Sequence, residues 1–216
     1  MHYTNQSTKL VTVRREGDTR QKLLRTAIEL IWENSYGSIS VDDICERAGV
    51  NKGSFYYAFK TKSDLAIAAY DEFSKNKRPI MDRIFSSQEP PVVRLGNYCD
   101  QVVNDQMEKY QSFGRVLGCP FVSVGCELST QDEGIRRKME EVAEVVVRYL
   151  TGAIRDAVAE GSIKTEDPAQ LAKEAYCFVV GVLTQAKIQN DPETLKRLKP
   201  GVARILGIRL EEPMPA

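Results

Sequence analysis

The stretch Ser40–Leu65, SVDDICERAGVNKGSFYYAFKTKSDL, most constrains how this chain can fold, because several helix starts lie close together in it. Ser40 is followed three residues later by Asp43, and Thr61 by Asp64, and each pair fits a capping box. In this motif the two side chains satisfy free backbone N–H groups reciprocally, so a helix begins there. The stretch must therefore form short helices separated by sharp turns.

A glycine corner joins the first two of these helices. Asn51 can cap the second helix, because its side chain accepts a hydrogen bond from a free backbone N–H. Gly49 is free to adopt a positive φ in the corner between them. Two short helices joined in this way form a helix-turn-helix, in which the first helix braces the second. We predict helices at Val41–Ala48, Lys52–Phe59 and Lys62–Phe85.

The exposed side of the second helix suits a DNA groove. Its leading edge, Lys52, Gly53 and Ser54, is slim and rich in donors, as entry into a major groove about 12 Å wide requires. Lys62 starts the next helix, where backbone amides and a cation both favour phosphate. The pattern therefore predicts a recognition helix followed by a phosphate contact.

Two adjacent tyrosines lie on the same short helix. Tyr56 and Tyr57 can offer hydroxyls to phosphates and flat rings to sugars or thymine methyls. Phe55 and Phe59 are four residues apart and are expected to pack inward. However, helix-turn-helix geometry also arises in ordinary bundles, and tyrosine pairs are often half-buried in a core. The pattern alone therefore leaves a structural role or a protein-binding groove open.

The rest of the chain is also predicted to be helical. Apolar residues recur at helical spacing from Thr19, Gly37 is a natural C-terminal stop, and no run of strand period appears. The expected fold class is all-α, with a flexible arm at residues 1–17, a three-helix helix-turn-helix domain at 18–70 and a larger helical bundle at 71–216. Further helices are expected at about Pro91–Gln111, Pro120–Thr130, Thr130–Glu160 (with a capping box at Thr130 and Glu133) and Pro168–Ile188 (capped by Asp167), and in a last segment that "KPG" at 199–201 should break or kink.

Charge and side-chain chemistry argue against several classes of protein. The formal net charge is zero, but residues 1–62 carry ten Lys and Arg against seven Asp and Glu, so the remainder is acidic. That distribution points to the N-terminal part as the end that meets a polyanion, and argues against a nonspecific architectural DNA binder. His2 is the only histidine, and neither a phosphate-cradling glycine loop nor a GxSxG motif occurs. We therefore expect no enzyme, no cofactor and no metal.

Cysteine usage and hydropathy indicate the compartment. The five cysteines include no CxxC pair, which argues against a disulfide framework or a zinc knuckle. No segment approaches the roughly 18 apolar residues that span a bilayer. We therefore expect a reduced, cytoplasmic protein without a membrane partner.

The stretches RQKLLRTAIELIWENSYGSISVDDI and AGVNKGSFYYAFKTKSDL resemble the DNA-binding domain of TetR-family transcriptional regulators over about Thr19 to Tyr70. One departure is Ala58, where many members have histidine. The resemblance implies a double-stranded DNA operator as partner and assigns the DNA contacts to Ser40, Val41, Lys52, Gly53, Ser54, Tyr56, Tyr57 and Lys62.

The same resemblance implies that residues 71–216 bind a small-molecule effector and form a homodimer. One apolar stripe, Leu171, Ala175, Phe178, Val179 and Val182, with small Ala172 and Gly181 nearby, could pack against a twofold mate. A second stripe, Leu195, Leu198, Val202 and Ile205, could complete the dimer interface. Both stripes could instead belong to the intramolecular core.

The run LGCPFVSVGCELSTQDEGIRRKMEEV resembles a TetR subset that includes sensors of electrophiles and reactive unsaturated compounds. Cys119 and Cys126 are seven residues apart, so on one helix they would share a face about 10.5 Å apart, too far to bridge directly. Arg115 is the nearby cation that could lower a thiol pKa. Both cysteines could instead be inert small hydrophobes.

A partly apolar effector needs apolar and aromatic side chains around it. Such residues at helical spacing are also typical of a core. The candidate lining residues are Phe85, Tyr98, Val102, Met107, Phe113, Cys119, Phe121, Cys126, Tyr149, Tyr176 and Phe178.

Together with the resemblance to TetR-family regulators, the sequence predicts a homodimeric, ligand-responsive transcriptional regulator. We expect a repressor that binds a pseudo-palindromic operator and is released by its effector. The alternatives are a cysteine-based electrophile or redox sensor of the same architecture and, least favoured, an enzyme on a helical scaffold.

Overall fold

A computed structural model describes the backbone of residues 5–210 and the side chains of residues 18–210. Within these residues all regular structure is helical, which confirms the predicted fold class. No helix in this part of the chain is long and apolar enough to cross a membrane. The helices are α1 (Asn5–Glu33), α2 (Val41–Ala48), α3 (Lys52–Ala58), α4 (Lys62–Ile84), α5 (Pro91–Phe113), α6 (Pro120–Leu128), α7 (Glu133–Ala159), α8 (Pro168–Gln189), a 3-10 helix (Pro192–Arg197) and α9 (Leu198–Leu206).

The chain divides into two compact units. Of the described residues, the head unit contains those up to Asn76 together with Ser123–Lys138. The body unit contains Lys77–Val122 and the described residues from Met139 onward. The sequence analysis predicts a single domain from residue 71 to 216. It does not predict that Ser123–Lys138 packs in the head unit.

The helix caps of the head unit follow the sequence closely. Ser40 and Asp43 form the predicted capping box at the start of α2, and Thr61 and Asp64 form the same reciprocal pair before α4. Gly49 adopts the left-handed conformation, with φ 65°, and its N–H caps the end of α2. Each of these caps depends on side-chain or backbone groups within four residues of it, which is why the sequence predicts them.

Other helix ends differ from the sequence expectations. Helix α1 begins at Asn5 instead of Thr19, so the residues expected to form an arm are largely helical. Helix α7 begins at Glu133, where the Asp132 carboxylate, rather than Thr130, accepts the Ile135 N–H. Pro200 does not break α9, because it lies in the first turn, where its missing N–H needs no intrahelical partner.

The core of the head unit comes from one face of each helix. Leu23 and Leu24 of α1, Ile44 of α2, Phe55 of α3 and Leu65 of α4 are all essentially inaccessible to solvent. This packing fixes which side of each short helix is left exposed.

In the body unit, the two predicted dimer stripes belong mainly to the intramolecular core. Ala175, Val179 and Val182 of α8 are buried, as are Leu198 and Val202 of α9. Phe178 packs so closely on Gly201 that a Cβ there would stand 2.1 Å from the phenyl Cζ. The intramolecular alternative is therefore the correct interpretation of these stripes.

Candidate functional site

Helix α3 presents two opposite faces, as the sequence predicts. Phe55 is 0% exposed and Phe59 6%, whereas Tyr56 is 57% exposed and Tyr57 76%. The Asn51 side chain caps the helix by accepting the Ser54 N–H at 2.8 Å. Because the phenylalanines hold one face in the core, both tyrosine rings are directed to the surface of the head unit.

The leading edge of α3 is accessible to solvent, and its lysine forms an ion pair on the surface. Lys52 and Gly53 are exposed and Ser54 is half-buried. The Lys52 ammonium lies 2.7 Å from a carboxylate oxygen of Asp42, and both side chains are more than half exposed. A surface ion pair of this kind contributes about 0–1 kcal/mol, so a nucleic acid can displace it at low cost.

The start of α2 presents Ser40 and Val41, the first exposed and the second half-buried. The Ser40 backbone N–H and hydroxyl both donate to the Asp43 carboxylate, each at 2.7 Å. These hydrogen bonds hold the pKa of Asp43 below its usual range. The hydroxyl proton of Ser40 is therefore engaged by the cap, and a contact with DNA from this position stays a prediction.

Besides its predicted phosphate contact, Lys62 has hydrogen-bond acceptors within the protein, which its position at a helix start does not indicate. Its ammonium donates to the carbonyl oxygens of Tyr36 at 2.8 Å and Ile39 at 2.7 Å, and lies 4.0 Å from the Tyr36 ring centroid. Burial lowers the Lys62 pKa, and the nearby carboxylates of Glu127 and Asp43 partly offset that effect. Two of its three N–H donors thus hold the turn before α2, and its predicted phosphate contact stays a prediction.

Some residues of the head unit could not be found by sequence reasoning. Glu127 and Asp132 come from the α6–α7 region but contact the turn before α2 and the start of α4. The Arg20 guanidinium of α1 lies 5.1 Å from the Phe59 ring centroid. No periodicity or spacing links these partners, because each contact is made only when the helices pack.

In the body unit, the structure brings together part of the predicted effector-lining set. The Phe85 ring lies 5.8 Å from that of Tyr98 and 5.3 Å from that of Tyr149, between centroids. The Tyr149 hydroxyl donates to Asp82. Burial is the main cause that raises the pKa values of Tyr98 and Tyr176. The charges of Tyr176 and Cys119 also contribute to the raised Tyr98 pKa, so both lie near that ring. We call Phe85, Tyr98, Tyr149, Tyr176 and Cys119 the aromatic cluster.

Cys119 immediately precedes α6 instead of lying within it. The backbone N–H groups of Val122 and Phe121 donate to its sulfur, and the charge of Lys187 also favours the thiolate, but burial outweighs these effects and raises the thiol pKa. The cation that acts on this thiol is thus Lys187 of α8. The sequence indicated Arg115, which is exposed.

The segment before Cys119 is held in place by a buried side chain. The Gln106 amide accepts the Gly118 N–H at 2.9 Å and donates to the Gly118 carbonyl at 3.2 Å. Gly118 itself has a φ of +69°, and the Lys187 side chain lies against it. The thiol therefore occupies a defined position.

The other predicted lining residues have mixed surroundings. Val102, Met107 and Phe178 are partly buried against the body core, and Phe121 is half-buried. Phe113 is 38% exposed, and Cys126 is an exposed residue of the head unit, so the structure does not place either in the aromatic cluster. The shared helix face expected for the two cysteines is wrong, because Cys119 lies outside α6. In residues 18–210 no cluster of His, Cys, Asp and Glu could hold a metal ion.

Two family models match most of the chain. Residues 23–69 match the model for bacterial regulatory proteins of the tetR family. Residues 91–202 match the model described as the tetracyclin repressor-like C-terminal domain. The first match spans α2 and α3 with parts of α1 and α4, and the second extends from α5 into α9.

Several curated proteins and solved structures are similar along most of their length. The transcriptional regulator AcuR of Cereibacter sphaeroides is 28% identical, with 81% of this chain and 79% of AcuR covered. The transcriptional repressor NemR of Escherichia coli K12 is 25% identical, with 88% and 95% covered. The crystal structure of the reduced form of E. coli NemR matches with a TM-score of 0.75, 25% identity and coverage of 87% of this chain and 97% of that one. The regulatory protein TetR from Rhodobacter sphaeroides matches with a TM-score of 0.76, 27% identity and coverage of 86% and 97%.

Proposed function

Because the chain belongs to the TetR family of bacterial regulatory proteins, we propose that it is a homodimeric repressor that binds a pseudo-palindromic operator and releases it when a small molecule binds the body unit. The exposed tyrosine face of α3, opposite the buried Phe55 and Phe59, carries this proposal.

The head unit supplies what a major-groove reader needs. Helix α3 enters the groove with Lys52, Gly53 and Ser54 leading, and Tyr56 and Tyr57 contact the sugar-phosphate backbone. The start of α2 crosses the backbone beside it, with Ser40 and Val41 nearest the phosphates. Two copies read two half-sites about 34–36 Å, or a multiple of that, apart.

The dimer is proposed to form through the exposed face of α8, in place of the stripes that the sequence favoured. Cys177, Gly181, Thr184 and Ile188 follow one another along this face at helical spacing, and all are exposed. Ile188 is 72% exposed although it is a large apolar residue, and nothing lies within 4 Å of a Cβ built at Gly181. We name these four residues the α8 face. A small-residue stripe ending in an exposed isoleucine suits close approach of a second copy.

The effector is proposed to contact the aromatic cluster of the body unit. A partly apolar molecule gains apolar contact there, and the tyrosine hydroxyls can orient it. The effector is proposed to bind more tightly to a dimer conformation in which the two α3 helices are not spaced to enter successive major grooves. Binding then lowers the fraction of the protein that can bind operator.

A mobility-shift titration on the DNA flanking the protein's own gene tests the regulator. We expect a specific complex that survives an excess of random DNA. The Tyr56→Ala, Tyr57→Ala double variant should lose the complex while it retains its helical content. Binding by this variant equal to that of the unaltered protein would show that α3 is not the reader.

A second candidate function is a thiol-based sensor at Cys119. It is supported by the position of the thiol, which Gln106 holds through Gly118. It is also supported by the Val122 and Phe121 N–H groups and the charge of Lys187, which partly offset the burial that raises the thiol pKa. In the proposed reaction, the thiolate adds to the β-carbon of an unsaturated carbonyl compound. The S–C bond forms as the C=C π bond breaks, and a proton from water ends on the α-carbon.

N-ethylmaleimide tests the sensor, with mass spectrometry to locate adducts and a mobility shift to follow DNA release. Modification of Cys119 should release operator, and Cys119→Ser should keep operator binding but lose the response. Cys126→Ser, at an exposed position, is the matched control and should respond normally. If Cys119→Ser is still released by the reagent, the sensor is elsewhere and a noncovalent effector remains the proposal.

A further inference from the structure

The turn between α1 and α2 is held by two side chains from elsewhere in the head unit. The Tyr36 and Gly37 N–H groups donate to the two carboxylate oxygens of Glu127, at 3.2 Å and 2.5 Å. The Lys62 ammonium donates to two carbonyl oxygens of the same turn, those of Tyr36 and Ile39. The backbone just before the α2 cap is therefore fixed by one anion and one cation.

Gly37 allows the carboxylate to come this close. Its φ is not in the left-handed region, so backbone conformation does not require glycine here. A Cβ at Gly37 would instead stand 2.6 Å from the nearer oxygen of Glu127, which is closer than real contacts allow. Gly37, which the sequence analysis predicts to be a helix stop, thus allows the turn to lie close to Glu127 of α6.

Two more contacts fasten the same α6–α7 segment within the head unit. The Ser63 hydroxyl at the start of α4 donates to Asp132 at 2.5 Å. The Lys138 ammonium lies 2.6 Å from Asp71, with the lysine side chain only 12% exposed. These contacts hold the segment that carries Glu127 against α4, so the carboxylate has a fixed base from which to hold the turn.

We propose that Glu127 is a positioning residue for operator binding, acting through the Tyr36–Gly37 amides on the start of α2. This inference rests on the proposed function. The turn leads directly into Ser40, the cap of α2, and α2 braces α3. When the carboxylate is lost, two backbone donors lose their acceptors and α2 and α3 can shift. A shifted α3 loses base-edge contacts, whereas phosphate contacts from flexible side chains tolerate the change.

Glu127→Gln is the sharpest test, because glutamine has the same shape but only one acceptor oxygen for two N–H donors. We expect operator affinity to fall by about ten-fold or more. The affinity for random-sequence DNA should stay unchanged, as should the dependence of DNA affinity on salt concentration. Glu144→Gln, an exposed glutamate of α7 in the body unit, makes the same charge change and should leave both affinities unchanged.

Gly37→Ala tests the same contact without changing any charge. Its Cβ displaces the carboxylate, so operator affinity should fall as in Glu127→Gln. The double variant should be no weaker than either single one, because both remove one interaction. Amide hydrogen exchange at Tyr36 and Gly37 should accelerate in both variants, with or without DNA.

The outcomes separate the inference from the proposed function. Operator affinity of Glu127→Gln equal to that of the unaltered protein would overturn the inference. A parallel loss of operator and random-DNA affinity, with a lower melting temperature, would also overturn it, since Glu127 would then only stabilise the head. Failure of the unaltered protein to bind any operator would instead refute the proposed function, on which the inference rests.

Discussion

Tyr57, at 76% exposed, is two residues from Phe55, which is fully buried. The ring of Phe55 packs edge-on against that of Tyr56, 5.1 Å between centroids, and in this way supports the exposed side of α3 from the core. The position of the two tyrosines, on the side of α3 opposite the core, thus explains why they occur on so short a helix. The phenylalanines anchor the helix, and the tyrosines are left for a partner.

Tyr57→Phe should weaken DNA binding without affecting the fold. The substitution keeps the ring and removes the hydroxyl, so it should lose one phosphate hydrogen bond of about 0.5–1.5 kcal/mol, a factor of about 2–13 in affinity. The loss should be similar for operator and random DNA, since phosphate carries no sequence information. Fluorescence anisotropy on both DNAs measures it. A loss confined to operator would mean that the hydroxyl reads a base.

Cys119 should react slowly at neutral pH. Burial raises its thiol pKa, so the thiolate fraction at pH 7 is smaller than that of an ordinary cysteine, and the reaction rate should keep rising above pH 9. Iodoacetamide labelling followed by mass spectrometry, from pH 6.5 to 10, measures this dependence. Cys126 is exposed and lies outside the α8 face, so it should be labelled more extensively at early times. A Cys119 rate that reaches a plateau below pH 8 would mean that Lys187 and the α6 amides outweigh burial.

At the scale of elements, two glycines in neighbouring helices have opposite surroundings. Glycine in a helix interior costs about 1 kcal/mol relative to alanine, so propensity alone predicts that replacing either one stabilises the protein. Gly201 of α9, however, is buried against the Phe178 ring of α8, whereas Gly181 of α8 faces open space. Because α8 packs on α9, replacing Gly201 should destabilise the protein, whereas helix propensity alone predicts that it stabilises it.

Gly201→Ala should lower the free energy of unfolding by about 1–3 kcal/mol, because Phe178 must leave its place to admit the new Cβ. Gly181→Ala is the matched control and should leave the stability of the protomer unchanged or slightly higher. Urea denaturation followed by circular dichroism at low protein concentration compares the two. Equal stability of the two variants would mean that the Phe178 ring repacks without cost.

At the scale of the whole molecule, the proposed operator needs two heads held in one assembly. Ile188→Lys places a charge in the α8 face, where a second copy would bury it, so the dimer should weaken by at least ten-fold while each protomer stays folded. Operator binding should then become strongly dependent on protein concentration. Sedimentation equilibrium and a mobility-shift titration measure the two effects.

Val93→Lys is the control for that variant. Val93 is also a large exposed apolar residue, 43% exposed, but lies on α5. It should leave both dimerisation and operator binding unchanged. Weakening of the dimer by Val93→Lys but not by Ile188→Lys would place the interface on α5 in place of the α8 face.

By itself, the sequence determined the fold class, the helix-turn-helix and the exposed face of α3. The signals that did so are local: Ser40 with Asp43, Asn51 with Ser54, Gly49 and Thr61 with Asp64 all act within a few residues. Apolar periodicity then states which face of a helix is buried.

Only the tertiary structure decided which elements meet. Periodicity names a buried face but not the partner that covers it, so it could not show that the α8 stripe packs within its own chain, that Lys187 reaches Cys119, or that Glu127 returns to the turn at Gly37. Residues 36 and 127 approach each other only after several helices have packed, and no short-range interaction encodes that contact.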